Sequence, residues 1–124
     1  MSKHGMILFG HGARDPRWAE PFERLAVKLR AQRSDPVSLA FLELMTPDLP
    51  TAIEKLGADG CVVVTVVPVF FGQGGHIRRD LPELLDRCRE MFPSVEIKCA
   101  VAVGEDDAVL DAVAAYCLRQ IPPS

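Results

Sequence analysis

Several signatures that would settle the class of this chain at once are missing. Among its four cysteines, Cys61, Cys88, Cys99 and Cys117, no two form a C-x-x-C pair. The clustered thiolates of an iron–sulfur site are therefore absent, and the four read as reduced, mostly buried thiols. Positive charge is not in surplus: 14 Lys and Arg stand against 17 Asp and Glu, a formal net charge of −3. Nucleic-acid binders usually carry a basic excess, so that partner is disfavoured. No apolar run is long enough to span a bilayer; the longest, Cys61 to Phe71, is broken by Thr65 and Pro68. The first residues lead straight into a strand-like run, with no signal-peptide apolar segment or cleavage site, so a cytoplasmic protein without a membrane partner is expected. Gly72-Gln73-Gly74-Gly75 is not followed by Gly-Lys-Ser/Thr, and no properly spaced G-x-G-x-x-G occurs. The usual nucleotide cradles are thus missing, and no nucleotide cofactor is expected. Internal repeats and low-complexity segments are also absent.

The 124 residues fit one domain, 1–124. A hydrophobic share of 48% is enough for a core at this size, and a charged share of 25% is ordinary for a globular chain. Short apolar runs alternate with amphipathic stretches. Gly5 to Gly10 reads as a first strand. Asp15-Pro16 opens a helix to about Gln32, with Asp as N-cap and Pro in the first turn. Val37 to Leu42 reads as a second strand, and Thr46-Pro47-Asp48 starts a short helix stopped by Gly57 and Gly60. Cys61 to Val67 is the most β-branched run and should be the central strand, ending near Pro68. A helix from about His76 to Met91 follows, in which Pro82 either lies inside or marks the first turn. Val95 to Val103 reads as a fourth strand, and Glu105 to Arg119 as a last helix with an apolar stripe of Val109, Leu110, Val113, Ala114 and Leu118.

This alternation predicts an α/β fold: a four-stranded parallel sheet with helices on both faces. Right-handed crossovers leave few topologies. In the order 2-1-3-4, the switch point falls between strands one and three, and open α/β sheets place ligands at the carboxyl edge of such a point. Those two strands lead to His11, in Phe9-Gly10-His11-Gly12-Ala13-Arg14-Asp15-Pro16, and to His76, after Gly74-Gly75. Glu43, at the end of strand two, is placed to converge on them. Two imidazoles and a carboxylate suit a borderline divalent metal such as cobalt, nickel, iron or zinc. A histidine with an ordinary pKa is largely neutral at pH 7, and the neutral form binds metal. Glu43 has a second reading, as a cap of the helix that follows. Arg14 and Arg78 flank the histidines and are candidates for anionic ligand groups; Arg79, beside Asp80, reads as a solvated residue. Phe70, Phe71 and Trp18 read as core or helix packing.

Three segments together resemble a known family. Phe9-Gly10-His11-Gly12-Ala13-Arg14-Asp15-Pro16 resembles its first motif, and Ala40-Phe41-Leu42-Glu43 with Pro47 its second. The run from Pro68 through Phe71-Gly72-Gln73-Gly74-Gly75-His76-Ile77-Arg78-Arg79-Asp80 to Pro82 resembles its third and most specific. The family is the CbiX-type sirohydrochlorin chelatases, within the class II chelatases, and the length resembles its short, single-domain form. The resemblance implies ATP-independent insertion of a divalent metal, typically Co2+ with Fe2+ or Ni2+ as alternatives, into sirohydrochlorin, in cobalamin or related tetrapyrrole synthesis. It implies that His11 and His76 are the catalytic and metal-binding pair, with Glu43 at a family acidic position. Arg14, Arg78, Gly74 and Gly75 are then candidate contacts to the carboxylate-rich macrocycle. The chain departs from the family at Ala13, where serine is frequent, and it has no histidine-rich tail. Larger members have two similar lobes around the tetrapyrrole. One lobe of this length cannot enclose the ligand, so a symmetric homodimer is expected.

Rival classes are weaker. Histidine phosphatases want Arg-His-Gly, and here Gly10 precedes His11. A receiver-type domain wants an acidic pair at the end of strand one, which is missing. A carrier that binds metal or tetrapyrrole without joining them shares the same residues and differs only in turnover.

Overall fold

The computed structural model describes residues 3–72 and 74–123. The elements are β1 (Lys3–Gly10), a 3-10 turn (Pro16–Ala19), α1 (Glu20–Gln32), β2 (Val37–Phe41), α2 (Leu49–Ala58), β3 (Cys61–Pro68), α3 (Gly75–Met91), β4 (Glu96–Cys99), a second 3-10 turn (Val103–Glu105) and α4 (Asp107–Arg119). The four strands form one sheet in the order β2-β1-β3-β4, and every neighbouring pair is parallel. This is the expected topology, with β1 and β3 at its centre.

The central strands are covered on both faces, which is why they read as continuous apolar runs. On β1, Leu8 packs with Phe22 and Ala26 of α1. Ile7 and Phe9 point the other way, into a larger cluster with Leu49, Ile53 and Leu56 of α2 and Leu81, Leu85 and Cys88 of α3. Leu49, Ile53 and Leu56 are essentially fully buried, each contributing roughly 1.5–3 kcal/mol of transfer free energy. That single stripe fixes α2 on the sheet.

Two boundaries and one helix face differ from the sequence expectation. The first helix begins as a 3-10 turn because Pro21 has no N–H to offer the Arg17 carbonyl; Glu20 donates to that carbonyl instead, one residue early. Of the two readings of Pro82, the structure shows the first: it lies inside α3, which runs unbroken from Gly75. The fourth strand stops at Cys99 rather than Val103: it is an edge strand paired only with β3, and its last partner is Val66. Ala100 still donates to the Val66 carbonyl at 2.9 Å, after which the chain turns away. The largest difference is α4, whose apolar stripe is not buried; none of its residues is. The cysteines divide as well: Cys61 and Cys88 are buried, whereas Cys99 and Cys117 are exposed.

Candidate functional site

His11 follows the last residue of β1. Behind it, Trp18, Phe22 and Phe41 form an aromatic cluster with centroid separations of 4.9, 5.9 and 6.2 Å. Gly10 is what admits this cluster: a Cβ there would lie 2.8 Å from Phe22 Cζ and 3.1 Å from Trp18 Cη2. The turn beyond is capped by Asp15, which accepts from the Arg17 backbone N–H at 2.9 Å. Asp15 also accepts from the Arg17 guanidinium, the closest contact being 2.7 Å. That guanidinium holds the Asp15 carboxyl below its ordinary pKa, with the backbone bond reinforcing it.

Glu43 lies two residues past β2, yet the β1–β2 ladder effectively continues to it. Leu42 donates to the Gly10 carbonyl at 2.9 Å, and Glu43 donates to the His11 carbonyl at 3.1 Å. The side chains meet too: His11 Nε2 stands 3.0 Å from Glu43 Oε1, with 42% and 50% of the two side chains exposed. Gly12 makes the approach possible. Its φ is +99°, and a Cβ would fall 1.8 Å from the Glu43 carbonyl oxygen, an impossible contact. Glu43 does not cap α2; Asp48 does, accepting from the Thr51 N–H at 3.0 Å. Between them Leu44 has φ 66°, and the Thr46–Pro47 peptide is cis.

His76 sits in the first turn of α3, the helix that follows β3. Its side chain lies outside the described residues, as does Gln73. The loop itself is anchored beside β1, since Val69 donates to the Phe9 carbonyl at 2.8 Å. Both histidine-bearing segments therefore leave the sheet from neighbouring strands at one edge. Gly72, Gly74 and Gly75 face open space, with nothing within 4 Å of a Cβ built on any of them. Arg14 and Arg78 are exposed at the same edge. Phe70 packs on the larger core cluster, but Phe71 is 65% exposed, contrary to a core role. Among the described residues no group of three potential ligands forms a metal cluster; the described part of the expected triad is the His11–Glu43 pair.

Sequence alone singles out Gly12 only as a flank of His11. Its positive φ and its contact with a residue thirty-one positions away follow from tertiary structure, and no local signal reveals them. The aromatic backing of Gly10 is equally non-local.

Comparison with known proteins agrees with this architecture. The CbiX family profile matches residues 5–119. The sirohydrochlorin cobaltochelatase of Methanothermobacter thermautotrophicus is 36% identical over 83 residues, which is 67% of this chain and 58% of that protein. The sirohydrochlorin ferrochelatase of Bacillus subtilis is 30% identical over 112 residues, 90% of this chain and 43% of that protein. The chain thus spans about half the length of these curated relatives. A CbiX protein of Marinobacter aquaeolei superposes with a TM-score of 0.84 at 31% identity, over 94% of this chain and 96% of that one. A profile match over residues 5–119 and a superposition over 94% of the chain at 31% identity agree on one assignment: the chain belongs to the CbiX family.

Proposed function

We propose that this chain inserts a divalent metal ion, Co2+ foremost, into sirohydrochlorin without a nucleotide, as a single chelatase-like domain over residues 1–124. The observation that carries the reading is the His11–Glu43 pair, held at 3.0 Å on the carboxyl edge of two neighbouring strands and half open to solvent. Two ligand bonds of about 2.1 Å meeting near a right angle place their donor atoms about 3.0 Å apart. Imidazole and carboxylate are therefore spaced as adjacent ligands of one ion.

Insertion replaces two pyrrole protons with one M2+, so two protons must leave as the metal enters. A neutral imidazole nitrogen has one lone pair, which serves a metal or a proton but not both at once. Two imidazoles divide that work: in this reading His11, with Glu43, would receive the ion, and His76 would take the two pyrrole protons one at a time, passing the first to solvent water before it accepts the second. Arg14 and Arg78 then pair with the macrocycle's carboxylates, and the open Gly74–Gly75 backbone lets the flat ring approach. A second copy of the chain supplies the other wall of the cleft, giving a homodimer. Iron and nickel share the ligand preferences of cobalt, so supply selects among them. The similarity to cobaltochelatases supports cobalt and a place in cobalamin synthesis in the cytoplasm.

The test is anaerobic absorbance of purified protein with sirohydrochlorin and Co2+, Fe2+ or Ni2+ in turn. Turnover beyond one equivalent per site is expected, and stoichiometric binding alone would make the protein a carrier instead. His11→Ala and His76→Ala should each slow insertion at least tenfold, about 1.4 kcal/mol of barrier. Unchanged turnover in both would remove the proposed site.

A further inference from the structure

The spacing of His11 and Glu43 is set one step below them. Gly10 and Phe41 are partners in the last rung of the β1–β2 ladder. The two backbone bonds beyond that rung, from Leu42 to the Gly10 carbonyl and from Glu43 to the His11 carbonyl, carry its register out to the pair. Whatever fixes the rung therefore fixes the pair. The aromatic cluster does so from one face. Phe41 belongs to it, with its ring centroid 5.9 Å from that of Phe22 and 6.2 Å from that of Trp18. The other two rings fill the space that a Gly10 side chain would take.

The three rings are not equivalent. Phe22 and Phe41 are buried, whereas Trp18 is 36% exposed. Phe22 seats α1 on the sheet together with Ala26. Trp18 comes instead from the 3-10 turn Pro16–Ala19. That turn is held by Asp15: the Trp18 N–H donates to the Asp15 carbonyl at 3.0 Å, and the Asp15 carboxylate accepts from the Arg17 backbone and guanidinium. The chain from Gly10 to Trp18 is thus a closed loop. It leaves Gly10, passes through His11 and Gly12, and brings the Trp18 ring back to within 3.1 Å of a Cβ built on Gly10. The indole shuts the base of the loop that begins with His11.

A metal-binding constellation must be held within about 0.5 Å of its working geometry. The His11 and Glu43 side chains are 42% and 50% exposed, so packing around the side chains themselves gives little restraint. The restraint comes from the backbone beneath. A rigid flat ring suits that task, because tilted and edge-on aromatic contacts have a defined geometry.

We propose that Trp18 is a positioning residue: its ring braces the Gly10–Phe41 rung and so holds His11 and Glu43 at the separation of adjacent ligands. The inference rests on the reading of that pair as ligands of one ion. Without the ring the two segments spread, and Co2+ keeps one donor of the pair while water replaces the other. Preorganisation raises affinity by removing the cost of ordering the site on binding, so the loss falls on the metal and not on the tetrapyrrole.

The experiment measures Co2+ affinity of the whole chain by calorimetry, with circular dichroism to check folding. Trp18→Ala should weaken binding by about fivefold or more, and Trp18→Phe, which keeps a ring, should recover most of the loss. Trp18→Leu keeps apolar bulk without a ring and takes the place of alanine if that variant does not fold. The distinguishing readout is the cost of Glu43→Ala. It is about tenfold in the wild-type background and should fall to about twofold beside Trp18→Ala, because a carboxylate no longer held next to His11 has little left to lose. Leu56→Ala, beside Gly5 at the far end of the sheet, controls for lost stability and should leave Co2+ affinity unchanged. KM for sirohydrochlorin should also be unchanged in Trp18→Ala. Wild-type Co2+ affinity in a folded Trp18→Ala protein, an undiminished cost of Glu43→Ala there, or an equal loss in Leu56→Ala would overturn the bracing role and leave the metal pair standing. A raised KM with normal Co2+ affinity would place the indole against the macrocycle and would also overturn it. If His11→Ala and Glu43→Ala both bind Co2+ as the wild type does, the pair is not the metal site, and the bracing role falls with it.

Discussion

His11 and Glu43 are joined twice: Nε2 lies 3.0 Å from Oε1, and the Glu43 N–H donates to the His11 carbonyl at 3.1 Å. The backbone bond fixes the spacing of the side chains, so the pair is held at ligand separation before any ion arrives. Each of His11→Ala and Glu43→Ala should weaken Co2+ binding by about tenfold or more, about 1.4 kcal/mol. Calorimetric titration of the variants checks this. If the two act on one ion, as proposed, the double variant should lose less than the sum of the single losses. Strict additivity would mean that the two side chains do not share the metal.

Gly12 is the hinge of that arrangement. With φ +99° and a Cβ that would overlap the Glu43 carbonyl, Gly12→Ala must shift one backbone or the other. Strain of this kind costs of order 1–3 kcal/mol, and a lower urea midpoint should report it. The metal site should suffer more than the fold does, since the segment that moves carries Glu43. Normal Co2+ affinity in a folded Gly12→Ala protein would show that Glu43 is not a ligand.

The α2 cap carries a pH signature. The Thr51 hydrogen bonds hold the Asp48 carboxyl below its ordinary pKa. The stabilisation is therefore fully present above the unfolded value, about 3.9, and is lost as pH falls through the lower folded value. Asp48→Ala should cost about 1 kcal/mol at neutral pH. Asp48→Asn keeps a cap without the charge, so the wild-type advantage over it should shrink below about pH 4. Denaturant unfolding at pH 7 and at pH 3 makes the comparison.

The sheet order and the meeting of His11 with Glu43 were legible in the sequence for one reason. Buried parallel strands need apolar runs on both faces, and Met6–Phe9 and Cys61–Val67 are such runs. Once they are central, whatever follows them falls at the switch point. The features that were not legible depend on what an element meets rather than on what it is. The stripe of α4 reads like that of α1, yet only α1 buries its stripe on its own sheet. The fourth apolar run is long enough for a full strand, but β4 ends where its pairing with β3 ends. Cys99 is exposed on that edge strand and Cys117 on the uncovered helix, so half of the expected buried thiols are not buried.

Two sets of glycines differ in their surroundings, and the difference tests whether a macrocycle approaches this backbone. Gly10, Gly12 and Gly104 each have a neighbour closer to a built Cβ than packing allows, whereas Gly74 and Gly75 have nothing within 4 Å. Packing inside the chain gives no reason for glycine at the last two positions. At Gly75, the first residue of α3, alanine is the better helix former by up to about 1 kcal/mol. Gly74→Ala and Gly75→Ala should therefore leave the unfolding midpoint unchanged or raised. If sirohydrochlorin lies against this backbone, each added methyl group obstructs it, and KM should rise at least tenfold while Co2+ binding in the absence of tetrapyrrole is unaffected. Wild-type KM in both variants would place the macrocycle elsewhere, and a fall in stability would mean that the glycines serve the fold.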